Sequence, residues 1–302
     1  MKDYKMSVPL KGNYRMDKRI GGKDYYVREF YNLDTFYDVA CVDDGLWAYP
    51  SHKENDDRTK FTATETFAEA VKLACNGWEE GLKKLDYYEE MSDKDYASKI
   101  SDNIWDVEHQ VTGSYVDVGA YLQGVPECMC DFVSKRTNTF ADVLINPSIS
   151  CWVKGKTVID RGREIMKLVD ALEKRNIKTR VCLMFVVKGE YNDDSKFYVV
   201  NIVCKDYCEL LDQNRLIFAL AHPSMVRRLL FSMLEQETDI GEDFGCPYGG
   251  YGVPGKIKDL PEEIWKEGLE NTYTFLFDDI NHTQEDVKAV KKRVEEIVRG
   301  NK

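Results

Sequence analysis

The stretch FADVLINPSIS, residues 140–150, decides the fold. Its first part, Phe140 to Ile145, is a short apolar run of the kind that a strand covered on both faces requires, as in a parallel sheet. Asn146-Pro147 ends it, because proline has no N–H to give to a ladder. Behind it, Ile159, Ile165, Met166, Leu168, Val169 and Leu172 recur at helical spacing, which predicts a helix closing near Asn176. TRVCLMFVV at 179–187 predicts a second strand, and a turn from Gly189 to Ser195 leads into a hairpin partner from Phe197 to Cys204. Leu210 to Glu235 reads as helical with a break at Pro223, followed by the glycine-rich GCPYGGYGVPG at 245–255. Asp259 and Pro261 start a short helix, Thr272 to Phe277 reads as a strand, and Thr283 with Asp286 caps a last helix to Arg299. Strands alternating with helices in this way predict an α/β fold in which 140–145, 181–187 and 273–277 are neighbouring, mostly parallel strands of one sheet.

Residues 1–136 carry a different pattern and read as a Tyr-rich α+β region, with 137–302 as a separate α/β domain. Tyr25 to Phe30 is strand-like. Thr66 with Glu69 forms a capping box ahead of Phe67, Ala70, Val71, Ala74, Trp78 and Leu82, and Gly77-Trp78 marks a packed bend. The polar stretch Ser92 to Asp102 follows, and residues 114–123 read as a strand or turn leading into a compact loop.

The 302 residues are 43% hydrophobic and 31% charged, ordinary values for a globular protein. A net charge of -11 repels phosphates over most of the surface, so bulk nucleic acid is not an expected partner. No apolar run reaches membrane-spanning length and MKDYKMSVPL lacks a signal peptide's apolar core, so the expected location is the cytoplasm. Nine cysteines are an odd number, which excludes a fully paired disulfide framework and predicts reduced thiols. Cys128 and Cys130 form C-x-C, Cys204 and Cys208 lie four apart, and no C-x-x-C occurs. A zinc site is therefore available only by long-range assembly.

Several residues invite a chemical reading. His222 and Ser224 in AHPSM lie near Arg227 and Arg228, a set able to bind an anionic group or to serve acid and base chemistry. The reading preferred here is structural, with both arginines covering a solvated helix face and His222 satisfying a local carbonyl. The glycine-rich segment lacks G-x-x-x-x-G-K, so it is not a phosphate loop. Its glycines beside Tyr248 and Tyr251, Gly250 among them, read as an adaptable contact loop. No G-x-S-x-G, H-E-x-x-H or kinase set is present.

The element order from 137 to 300 resembles the von Willebrand factor A domain, including the cobalt-chelatase variety. The most specific part is Asn146, Ser148 and Ser150, an N-x-S-x-S string directly after the first strand, where that family carries D-x-S-x-S for a divalent metal. Asp278 with Asp279 matches an acidic position after a later strand, and Thr238 is a candidate for the family's threonine. The resemblance implies a magnesium site built from Ser148, Ser150 and Asp278. Asn146 removes the family's first charge, which weakens that site and predicts a degenerate motif with no resident cofactor. FTATETFAEAVKLACNGWEEG (61–81), YVDVGAYLQGVPECM (115–129), FALAHPSMVRRLLF (218–231) and GYGVP (250–254) resemble an uncharacterised family carried mostly by bacteriophages and prophages. That resemblance implies a protein of the host bacterial cytoplasm. Two functions follow: an adaptor or inhibitor of a host or phage protein, anti-defence activity included, which contacts its partner through Asn146, Ser148, Ser150, Tyr248, Gly250, Tyr251, His222 and Arg227; or a metal-dependent or anion-binding enzyme at the same loops. The missing aspartate and general base favour the first.

Overall fold

Phe140 to Ile145 lies one strand in from the edge of a seven-stranded sheet in a computed structural model that describes residues 15–41, 51–52, 59–83, 105–134, 139–174, 177–189, 195–237, 239–266, 273–283, 285–290 and 292. Among these residues the strands are β1 (Arg15–Ile20), β2 (Lys23–Phe30), β3 (Trp105–Gln110), β4 (Tyr115–Val116), β5 (Met129–Ser134), β6 (Thr139–Ile145), β7 (Ile177–Lys188), β8 (Lys196–Lys205), β9 (Val253–Pro254) and β10 (Tyr273–Phe277). The α-helices are α1 (Leu33–Ala40), α2 (Thr59–Thr62), α3 (Phe67–Asn76), α4 (Glu79–Lys83), α5 (Val118–Leu122), α6 (Gly155–Lys174), α7 (Gln213–Ala221), α8 (Phe231–Gln236) and α9 (Glu262–Trp265), and residues 285–290 of the expected last helix are helical too. A π-helical segment, Met225–Leu230, joins α7 to α8.

The chain forms two units, one of residues 1–85 with 140–302 and one of residues 86–139. The first is mixed α/β. Its sheet runs β1-β2-β8-β7-β6-β10, with β9 also paired to β7. The three strands expected to be neighbours are neighbours, and β10 runs parallel to β6 with Phe275 opposite Val143. The expected hairpin is present, β7 and β8 being antiparallel with a register shift at Val181/Cys182.

The expected boundary at 136/137 is not where this unit divides. Strand β2, from the Tyr-rich region, pairs parallel with β8 from Asp24 opposite Lys196 to Phe30 opposite Ile202, and β1 folds back on β2. The apolar face of β2 explains this, since Tyr25 and Val27 are buried on one side and Phe30 on the other.

Both faces of the sheet are covered, as continuous apolar runs demand. On one side Val143, Ile145, Leu183, Phe185, Val187 and Phe277 pack with Ile165 and Val169 of α6 and with Leu216 to Leu234 of the α7–α8 region. On the other, Leu144, Met184, Val186 and Val199 meet Ile257, Leu260 and Ile264. Helix α6 lies against α7 at Gly162, where an added Cβ would come within 2.4 Å of the Ala221 backbone. Helix α3 begins as expected, with Thr66 accepting from the Glu69 N–H. It stops at Gly77, whose φ of 84° and approach to Asn214 leave no room for a side chain. Pro223 breaks the helical run, also as expected.

The second unit is a three-stranded antiparallel sheet, β3-β5-β4, with α5 after β4. The polar stretch 92–102, most of the 189–195 turn, Thr238, Thr272 and the end of the last helix lie outside the described residues. All nine cysteines are free, and no described helix is long and apolar enough to cross a membrane.

Candidate functional site

Strands β6 and β10 end side by side, and the chain leaving β6 holds the N-x-S-x-S string. The Asn146 N–H extends the ladder by one bond to Phe277 O at 2.9 Å. Its side chain is buried and fully used: Nδ2 donates to Gly255 O at 2.8 Å and to Asp278 Oδ1 at 3.0 Å, and Oδ1 accepts from the Ser148 N–H at 3.0 Å. Asp278 also accepts from the N–H groups of Ile257 (2.8 Å) and Lys258 (3.1 Å). Its carboxylate thus joins the strand end to the segment after β9.

Arg161 of α6 closes the cluster from below. Its two terminal nitrogens donate to Asn146 O at 2.7 Å and Phe277 O at 2.9 Å, and burial pushes the guanidinium down to about 10. Ser148 Oγ accepts from the Val186 N–H of β7 at 2.8 Å, so the hydroxyl continues a ladder that β6 has left. Ser150 Oγ accepts from the Trp152 N–H at 3.4 Å. Asp279 faces elsewhere, capping residues 280–282 and pairing with Lys256 at 3.5 Å. The string thus works here as a hydrogen-bonded corner, and the three proposed magnesium ligands each hold a backbone amide.

Beside this corner lies a cavity of about 580 Å³. Its floor is Phe185 and Val187 of β7, and its walls are Ile149 to Cys151 on one side and Gly249 to Pro254 on the other. Phe61, Thr62, Arg227 and Phe231 complete it. Four of the sequence-predicted residues therefore meet here: Ser150, Arg227, Gly250 and Tyr251. Tyr251 stacks on Phe231 with ring centroids 3.7 Å apart, and its hydroxyl donates to buried Glu235. The glycine-rich loop is held to β7, Gly255 donating to Val186 O at 2.9 Å, and a Cβ on Gly252 would strike Lys188 O. Next to the lining residues stand Trp152 and Tyr248, 89% and 90% exposed.

The expectation of a solvated arginine face is corrected by the π-helical segment. Its wider turn brings Arg227 and Arg228 both inward, 2% and 0% exposed. Arg227 donates to Phe61 O at 2.6 Å and to Val153 O, lies over the Phe61 ring, and forms no ion pair among the described residues. Burial pushes it down to about 10. Arg228 is spent on Ser51 O and on Thr64 and Glu65.

His222 is not among the cavity's lining residues. It caps α7, stacked on Phe218 and edge-on to Trp78, with Nδ1 accepting from the Ser224 N–H at 3.2 Å where a carbonyl partner was expected. Burial holds its imidazole down at about 4, so it is neutral at ordinary pH. Sequence reasoning missed Phe61, Phe185 and Phe231, which read only as core aromatics. Nothing local marks them as cavity lining.

A family model, Domain of unknown function (DUF7192), matches residues 12–300, and the chain belongs to that family. No curated protein and no solved structure matches it.

Proposed function

We propose that this chain is a protein-interaction module whose recognition pocket is the cavity between the 149–151 loop and the glycine-rich loop. The observation that carries the reading is a cavity of about 580 Å³ lined by Phe61, Ile149, Phe185 and Phe231, next to the exposed Trp152 and Tyr248. Aromatic anchors around an apolar pocket are the usual composition of a binding hot spot, because they bury large area at little entropic cost. Arg227, buried at the wall without a carboxylate partner among the described residues, favours a group that brings its own negative charge. The favoured occupant is an apolar residue beside a carboxylate in a partner protein.

The von Willebrand factor A-like reading belongs to the same proposal. Supporting it are the strand order β8-β7-β6-β10 and the antiparallel pairing of β8 with β7. In that reading the corner at Asn146 keeps the position of the family's metal site and replaces the ion by the Asn146–Asp278 bond and the Arg161 guanidinium. Magnesium is then not required. The setting is the host bacterial cytoplasm, and the role is that of an adaptor or inhibitor of a host or phage protein. The enzymatic alternative draws support from Arg227 alone, as Cys151, Arg227 and Tyr251 are the titratable groups lining the cavity.

Selection from a random-peptide display library tests the proposal. Enriched peptides are expected to carry an apolar residue next to a carboxylate, and amidating that carboxylate should weaken binding. The double variant Trp152→Ala, Tyr248→Ala should fold normally and bind about 10-fold or more weakly. Peptides that bind the double variant and the wild type equally would refute the site.

A further inference from the structure

The second unit buries little among the residues whose burial is described. Of its residues whose burial is described, 109–130, Cys130 is the one buried side chain, while Val111, Tyr115, Val116, Val118, Tyr121 and Leu122 are each half exposed or more. Two six-residue strands and a two-residue strand, with Cys130 as the one buried side chain among residues 109–130, make a small sheet of the kind that is usually stapled by a disulfide or a metal. The disulfide is absent, since Cys128 and Cys130 are free.

What the unit does have is a convergence of three different donors. The antiparallel register of β3 on β5 sets His109 directly opposite Cys130, and β4 on the other flank of β5 sets Tyr115 against the same cysteine. Asp117 follows β4 and is tied down by its N–H to Cys128 O at 2.8 Å. The connection between β3 and β4 presses so closely on Cys130 that a Cβ on Gly113 would lie 2.8 Å from the Cys130 carbonyl oxygen. His109 Nε2 and Asp117 Oδ2 are 3.0 Å apart, and together with Cys130 Sγ they lie within 4.8 Å of one another. The other Asp117 oxygen accepts from the Ala120 N–H at 3.1 Å, which orients the carboxylate.

We propose that His109, Asp117 and Cys130 form a zinc site that staples the second unit. An imidazole, a carboxylate and a thiolate are the zinc donor types, and the mixture suits neither magnesium nor calcium, which take oxygen. Tetrahedral ligands about 2.0–2.3 Å from zinc sit roughly 3.3–3.8 Å from one another, so small side-chain rotations bring these three onto one ion. His109 and Asp117 are 47% and 40% exposed on the side chain, which gives the ion a path from solvent, while the buried sulfur is shielded from oxidants. Three protein ligands leave the fourth position to water. Binding energy gained on ordering three chain segments is folding energy for the unit.

The full chain, prepared without a histidine tag and under reducing conditions, is the material for the test. Zinc analysis after dialysis should find about one equivalent, and cobalt in its place should show a thiolate-to-cobalt charge-transfer band. His109→Ala, Asp117→Ala and Cys130→Ser should each lose the ion, whereas Cys75→Ser, at an exposed cysteine of the first unit, should keep it. Chelation should expose 86–139 to protease while the first unit resists. The wild-type cobalt spectrum is a readout independent of whether a variant folds. Substoichiometric zinc in the reconstituted wild type, a cobalt spectrum without the thiolate band, or binding that survives all three substitutions would overturn the assignment.

Discussion

Replacing Asn146 by aspartate would produce the D-x-S-x-S string of von Willebrand factor A domains on paper and damage this protein in fact. The amide donates to Gly255 O and to Asp278, and a carboxylate can do neither; it would set a second negative group against Asp278 in a buried corner. Two adjacent carboxylates cannot both ionise without cost, and an unsatisfied buried carbonyl adds to it. The expected outcome for Asn146→Asp is a loss of roughly 2–4 kcal/mol at neutral pH. The loss should be smaller at acid pH, where one carboxyl holds a proton. Urea unfolding at two pH values checks this. A variant as stable as the wild type that binds magnesium at micromolar concentration would show instead that the corner is a metal site awaiting its charge. The asparagine was visible in the sequence as a departure from a motif, but its donor role was not, because Gly255 and Asp278 are 109 and 132 residues away.

Helices α6 and α7 meet closely at Gly162. Gly162 is helical and gains no conformational advantage there; it is needed because the Ala221 backbone occupies the space of a side chain. Gly162→Ala should therefore cost ~1–3 kcal/mol by overpacking, although alanine is the better helix former. The midpoint of chemical unfolding measures it, and an unchanged or raised midpoint would mean that the helices can separate. The segment after α7 makes a related point. Pro223 announces a break, but a break is compatible with several geometries. The π-helical turn that follows was decided by packing, since Met225 to Leu230 are all buried and the two arginines find backbone carbonyls inside.

The assembly of the first unit joins segments that the sequence separates. Residues 137–302 contain the strands that looked like a complete domain, yet β8 has β2 as its other neighbour, hydrogen-bonded from Asp24 to Phe30. The isolated fragment 137–302 would leave that edge of β8 open, with Tyr198 and Val200 uncovered beside it. It is expected to aggregate or to remain unfolded, while a chain in which 86–139 is replaced by a flexible linker keeps the sheet. Circular dichroism and gel filtration of the two chains distinguish them, and a soluble, cooperatively folding fragment would refute the arrangement. The sequence by itself determined what depends on near neighbours: the apolar strands β6, β7 and β10, the β7–β8 hairpin, the cap at Thr66, the stops at Gly77 and Pro223, and an odd count of free thiols. Each of these follows from period, proline, glycine or arithmetic. Only the tertiary structure decided which residues share a site. The cavity of Phe61, Ser150, Phe185, Arg227 and Tyr251 and the meeting of His109 with Cys130 arise from register and packing between distant segments. No local pattern carries that information, because a side chain's neighbours across a sheet are set by where the whole sheet closes and not by the residues beside it in the chain.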